Sequence, residues 1–189
     1  DSADVQSRTD ATDRLRSDRA ITLKMIESHL RSDTLSPEQR QRLCAVAFRK
    51  VREGPHAAMG LRNDQTLTTR GVTIAFLQPG FPASQTLKLN DRIVVAAGTT
   101  IDTWDKLRAV IISRDAGDEI PITVVREGAT LNLVVKLGEY SRLNQSGGIE
   151  ASILDLAWDL RSAAFRPPQD PPPAIASALA PVDWLRPES

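Results

Sequence analysis

Two histidines, one cysteine and no paired arrangement among them are what this 189-residue chain offers to catalysis or metal binding. His29 and His56 lie apart, and neither has neighbouring residues at ligand spacing, so no metal or other cofactor is expected. A serine hydrolase needs a nucleophile, a base and an orienting group held together. No Gly-x-Ser-x-Gly elbow accompanies either histidine, and no His-Glu-x-x-His pattern or glycine-rich phosphate loop occurs. A serine–lysine dyad leaves no trace in composition, but no span outside the central strands is long enough to build a catalytic domain around one. The chain therefore reads as a non-enzyme. Cys44, the single cysteine, can form no intrachain disulfide and reads as a small residue packed on a helix.

Charge adds a second exclusion. The 24 basic and 24 acidic residues cancel, which argues against a general nucleic-acid or anionic-membrane binder. No run of about 18 apolar residues is present, so no membrane span is expected. The first residue is Asp1, and a processed or truncated product is expected, consistent with a removed signal peptide or anchor. Apolar residues make up 41% of the chain, slightly low for a globular protein, which fits tails outside a core.

Three regions follow from the hydrophobic patterning: a helical arm over 1–54, a strand-rich domain over 55–140, and a helix with a proline-rich tail over 141–189. Residues 1–11 are small and polar and read as disordered. From Thr12 to about Arg31 the period is helical, with Leu15, Ile21, Met25, Ile26 and Leu30 near one face. A second helix is signalled by Ser36 as N-cap, Pro37 at the first position and Gln39 completing a capping box, with Leu35 placed to staple onto the first turn. Leu43, Val46, Ala47 and Val51 form its apolar face, and Gly54-Pro55 stops it. The two helices read as an antiparallel hairpin.

In the middle region Val72–Phe76, Ile93–Ala97, Ile120–Val125 and Leu131–Leu137 read as strands. The last two are joined by a glycine-bearing hairpin loop, and Pro121 predicts an edge or end position. A short helix runs from Thr103 to Ser113. After Ser146-Gly147-Gly148, a hinge, an amphipathic helix spans Ile149 to about Phe165, with Ile149, Ile153, Leu156, Ala157, Leu160 and Ala164 as its stripe and Trp158 at the margin. Pro167–Pro173 reads as an extended linker, and 174–189, with Trp184 and Leu185, as a flexible tail, the alternative being a segment that docks on a partner or folds back into the chain's own groove.

Spaced elements carry a family resemblance. Pro79-Gly80-Phe81-Pro82-Ala83 resembles the "PGSPA" turn of PDZ domains, and Leu87-Lys88-Leu89-Asn90-Asp91-Arg92-Ile93 their "GLKxGDxI" segment. Gly98-Thr99-Thr100-Ile101 resembles "NGxxI", and Gly117-Asp118-Glu119-Ile120 the entry to the late strands. The succession is similar to the circularly permuted PDZ domains of bacterial envelope proteins such as HtrA-type proteases, here without a protease domain. Three positions depart from the pattern: Asn90 stands where the family has glycine, Thr86 likewise, and Ala97 replaces the usual asparagine. Asn tolerates positive φ, so the turn at Asn90 can survive.

The resemblance implies an α+β fold: a PDZ-like, partly open antiparallel β-barrel with a groove helix, flanked by the N-terminal helical hairpin and the C-terminal helix. It implies β-augmentation, in which an extended peptide adds a strand to a sheet edge and its carboxylate meets backbone N–H groups of a loop. The matching loop is Ala57-Ala58-Met59-Gly60-Leu61, whose glycine lets successive N–H groups converge on an anion. The implied peptide-binding set is Ala58, Met59, Gly60, Leu61, Arg62, Asn63, Trp104, Arg108 and Ile111. Ile111, Met59 and Leu61 would hold the terminal side chain. Trp104 and Arg108 would read residues further back, with Arg108 favouring an acidic or polar one. Expected partners are protein C-termini or extended peptide segments, with homo-oligomers through the helical arms a further option. The expected setting is periplasmic or extracellular, and the expected role an adaptor or regulator. The alternative is a structural assembly subunit, whose arms make the contacts and whose PDZ-like core is a scaffold. An open or a filled groove separates the two.

Overall fold

The computed structural model describes residues 14, 18, 20–32, 34–64, 70–143 and 147–165. The expectations for residues 1–11, Leu15, Ser146, the proline-rich linker and the last sixteen residues lie outside these. Helix α1 spans Leu23–Leu30 and α2 spans Pro37–Glu53. Strands β1 (Ala57–Ala58), β2 (Leu61–Asn63), β3 (Val72–Leu77), β4 (Arg92–Ala96) and β5 (Thr99–Thr100) follow, then helix α3 (Trp104–Ile112). Strands β6 (Glu119–Arg126), β7 (Ala129–Lys136) and β8 (Gly138–Glu139) precede helix α4 (Ala151–Ser162).

The main sheet runs β2-β3-β4-β6-β7, with β5 on β4, and every pairing is antiparallel. β1 and β8 form a separate antiparallel pair. The sheets do not close into a barrel, so β2 and β7 end the main sheet as edges. β6 and β7 turn through Glu127 (φ 52) and Gly128 (φ 83), a two-residue connection of the primed type that matches strand twist. Pro121 precedes Ile122, where β6 begins to pair with β4, so it sits at the end of that ladder. The core combines Val72, Ile74, Ile93, Ile122, Val124 and Val135 from the sheet with Leu107 and Val110 from α3.

The helix expected from Thr12 to about Arg31 is interrupted: Arg14 is helical and its carbonyl accepts from the Asp18 N–H at 2.9 Å, and the break follows. Asp18 accepts a hydrogen bond from the Ala20 N–H through Oδ1 at 2.8 Å, and this local turn competes with the helix. Helix α1 then follows Thr22, whose Oγ1 accepts from the Met25 N–H at 3.3 Å. Ile26 and Leu30 are buried, whereas Met25 is 50% exposed because its neighbour Ile26 takes the inward direction. Helix α2 has the expected capping box at Ser36 and Gln39, with Pro37 at its first position.

Both ends of the described chain meet. Phe165, just beyond α4, joins Ile26, Leu30, Val46 and Ala47 in one buried cluster. Trp158 packs on Phe48 and Phe165 with ring centroids 5.5 and 5.8 Å away. Arg40 of α2 donates to the carbonyls of Leu30, Ser32 and Phe165, capping the ends of α1 and α4 together. Ile153, Leu154 and Ala157 of α4 pack on Ala109 and Ile112, the face of α3 turned from the sheet. That stripe differs from the expected one: Leu156 and Ala164 are exposed.

Candidate peptide-binding groove

Edge strand β2 and helix α3 line one cavity of about 340 Å³. All nine residues singled out from the sequence lie along it: Ala58, Met59, Gly60, Leu61, Arg62 and Asn63 on one side, Trp104, Arg108 and Ile111 on the other. β2 pairs with β3 on one edge only, through Leu61–Leu77, Arg62–Phe76 and Asn63–Ile74. Among the described residues the groove therefore runs along a free sheet edge.

Each wall has a local cause. Gly60 has φ +71, and a Cβ there would lie 2.3 Å from Cγ of Phe81. Glycine is needed both for the turn and for the approach of the ring. Helix α3 starts at Thr103, whose hydroxyl accepts from the Lys106 N–H at 3.2 Å. Leu107 and Val110 then face the core, which leaves Trp104, Arg108 and Ile111 on the stripe toward β2. Trp104 also packs on the core, so it both supports and lines the groove. Ile111 and Leu61 are buried, giving the floor an apolar character.

Four lining residues were not anticipated, Ile112, Tyr140, Leu143 and Glu150, while Ala57 belongs to the expected loop. Ile112 adjoins the expected Ile111. Tyr140 is carried there by the β1–β8 pair, since its N–H donates to the His56 carbonyl at 2.8 Å and its ring meets the His56 ring edge-on at 6.5 Å. Burial pushes the His56 imidazole below its ordinary value, against the opposing effect of its backbone partner at Arg52. Leu143 and Glu150 come from beyond the last strand and leave no local pattern in the sequence.

Arg108 is not a free cation. Its guanidinium donates to the Glu150 carboxylate and lies 3.8 Å from Asp105. The Arg108 hydrogen bond holds the Glu150 carboxyl below the ordinary carboxylate range. Arg62 lies 4.3 Å over the ring of Phe76, its partner across β3.

The segment before β4 is fastened from below. Asp91, fully buried, accepts from Arg126 at 2.7 and 2.8 Å and from the Lys88 N–H at 2.8 Å. Burial raises the Asp91 carboxyl, and the hydrogen bonds and charges of Arg126 and Lys88 outweigh it, leaving it below its usual value. Asn90 adopts φ 67, as its place in the turn requires. Thr86 takes a negative φ of −114, so the missing family glycine costs nothing there.

A free-edged strand facing a helix, with a glycine turn at one end, is the arrangement of a PDZ domain, and residues 46–137 match that family. The chain carries a PDZ domain. PDZ domains are non-catalytic interaction modules that bind peptides and C-termini. No curated protein matches the chain in sequence. Similar solved structures include a substituted form of the HtrA-type protease AlgW with decapeptide, at a TM-score of 0.45 and 17% identity over 50% of this chain and 32% of that one. AlgW with tripeptide has a TM-score of 0.44 and 18% identity, over 48% and 35% of the two chains. The serine endoprotease from Yersinia pestis has a TM-score of 0.40 and 16% identity, over 45% and 29%. The chain spans about a third of the length of these proteases. No protease domain is evident among the described residues, and none of their helices is long and apolar enough to cross a membrane.

Proposed function

We propose that this chain is a non-catalytic module that binds protein C-termini or extended peptide segments as an added strand between β2 and α3. The observation that carries the reading is the open cavity between the free edge of β2 and α3, with the Gly60 turn at one end. The peptide backbone pairs with Leu61–Asn63, and the N–H groups of Met59, Gly60 and Leu61 receive its carboxylate. Leu61, Met59 and Ile111 hold the terminal side chain. Trp104 contacts a residue further back.

The arms direct most of their apolar side chains inward, onto one another and onto the outer face of α3, with Met25 and Leu156 left exposed. This favours the groove over the arms as the contact surface. The role proposed is an adaptor or regulator in the bacterial envelope, by the resemblance of its turn motifs to envelope PDZ domains.

A C-terminal peptide library, with each sequence also made as its C-terminal amide, tests the reading. Selective binding that is lost on amidation, with amide chemical-shift changes at Gly60, Leu61 and Ile111, is the expected result. A folded chain that binds no peptide overturns it and returns attention to the arms.

A further inference from the structure

The charge of the groove is set from outside the residues that match the PDZ family. Glu150 lies beyond residue 137, the end of that match, at the N-cap position of α4. Its backbone is held in place because α4 is docked through Ile153, Leu154 and Ala157 onto Ala109 and Ile112. From there its carboxylate reaches Arg108, which lines the cavity on the α3 wall. Asp105, one turn earlier on α3, approaches the same guanidinium at 3.8 Å.

The sign of the charge follows. Among the described residues one guanidinium faces two carboxylates, Glu150 lining the cavity and Asp105 beside it on α3, so this stretch of wall carries a net negative charge. Both carboxylates keep open sides, with 62% of the Glu150 side chain and 66% of the Asp105 side chain exposed, while Arg108 is only 20% exposed. A carboxylate accepts several hydrogen bonds, and one pairing leaves acceptor capacity to spare. The other cation of the lining, Arg62, is stacked on Phe76. Phe76 lines a neighbouring cavity on the far side of Gly60–Arg62 rather than the groove itself.

We infer that Glu150 makes the groove select peptides with a basic side chain beside Arg108 and disfavour acidic ones there. This inference rests on the peptide-binding reading above. It reverses the preference that Arg108 alone suggests, because an acidic peptide residue must displace Glu150 to reach the guanidinium, whereas a lysine or arginine finds acceptors already facing it. The pair is partly exposed, so the preference is modest and screened by salt.

The test uses the whole chain and fluorescent decapeptides ending in an apolar residue. Lys, Glu or Ala is placed singly at each of the second to fifth positions from the C-terminus, and affinity is read by anisotropy at low and physiological salt. At one position the Lys peptide should bind about two- to fivefold tighter than the Glu peptide, a ratio in the range of an exposed ion pair. That ratio should shrink with added salt, and Glu150→Gln should reduce or invert it. Asp105→Asn should shift it in the same direction, which guards against a peculiarity of one variant. Equal or stronger binding of the Glu peptide at every position overturns the inference while leaving the groove reading intact. So does a ratio unmoved by Glu150→Gln, provided the Ala peptide binds. Failure of the Ala peptide to bind to the unsubstituted chain overturns both.

Discussion

The ring of Phe81 lies against the backbone of Gly60, and its outer edge lies against Gly138, where an added Cβ would come within 2.7 Å of the ring. One side chain thus props the turn at the end of the groove and ties it to the β1–β8 pair. Phe81 is itself buried. Phe81→Ala should destabilise the chain by about 3–5 kcal/mol in urea unfolding, the usual effect of emptying a buried aromatic site. Glycine substitutions separate strain from contact. Gly60 and Gly80 both have positive φ, but nothing lies within 4 Å of a Cβ at Gly80. Gly80→Ala should cost about 1–2 kcal/mol, and Gly60→Ala measurably more. Equal costs would show that the ring does not press on the turn.

Asp91 should govern part of the acid sensitivity. Its carboxyl titrates lower in the folded chain than in the unfolded one. The unfolded state therefore takes up protons first as pH falls, and stability is lost progressively from the ordinary carboxylate pKa down through the folded value. Above the ordinary value the contribution is complete. Asp91→Asn should lower stability at neutral pH and flatten its dependence below about pH 5. Denaturation curves at stepped pH check both, and parallel profiles for the two proteins would remove Asp91 from the account.

Ala97 carries strain that an ordinary substitution should relieve. It adopts φ 47 beside Gly98 at φ 79, in the tight turn between β4 and β5. Left-handed backbone is unfavourable for alanine and much less so for asparagine or glycine. Ala97→Asn and Ala97→Gly should each stabilise the chain by about 0.5–1 kcal/mol, seen as a raised Tm, with no effect on peptide affinity.

Arg161 is the junction of the arms. It pairs with Glu27 of α1, donates to Asp115 at 2.9 Å, and donates to the Ser113 carbonyl at 3.1 Å. Glu27 is buried, so removing its partner leaves a carboxylate out of water. Arg161→Gln should destabilise the chain by about 2–4 kcal/mol, and adding Glu27→Gln should recover part of that loss. Strictly additive effects would mean that the two side chains do not act as a pair.

The sheet was largely readable because it rests on local pattern, and the groove because the turn motifs around it resemble those of PDZ domains. Apolar runs mark Arg92–Ala96 and the β6–β7 hairpin, and Ser36, Pro37 and Gln39 fix the start of α2 within one residue. The spacing of Trp104, Arg108 and Ile111 sufficed to put them on one stripe of a helix. Contacts that join distant segments left no such mark. Glu27 sits buried on a face that periodicity gives to solvent, because Arg161 meets it there. Glu150 enters the groove only because α4 docks on α3. Phe81 reads as an ordinary turn residue until the glycines it touches are brought beside it.

The clasp between the arms has a consequence for the order in which the chain assembles. Glu27 and Arg161 are 134 positions apart, and the whole groove-bearing sheet lies between them. The β6–β7 hairpin, by contrast, closes through two residues. Closure entropy must be met before so distant a contact gives anything back, so the hairpin belongs to the early steps and the clasp to the last. Weakening the clasp should therefore quicken unfolding and leave the refolding rate nearly unchanged, while damage to the hairpin slows refolding. The arms then act as a kinetic lock on a fold that has already formed.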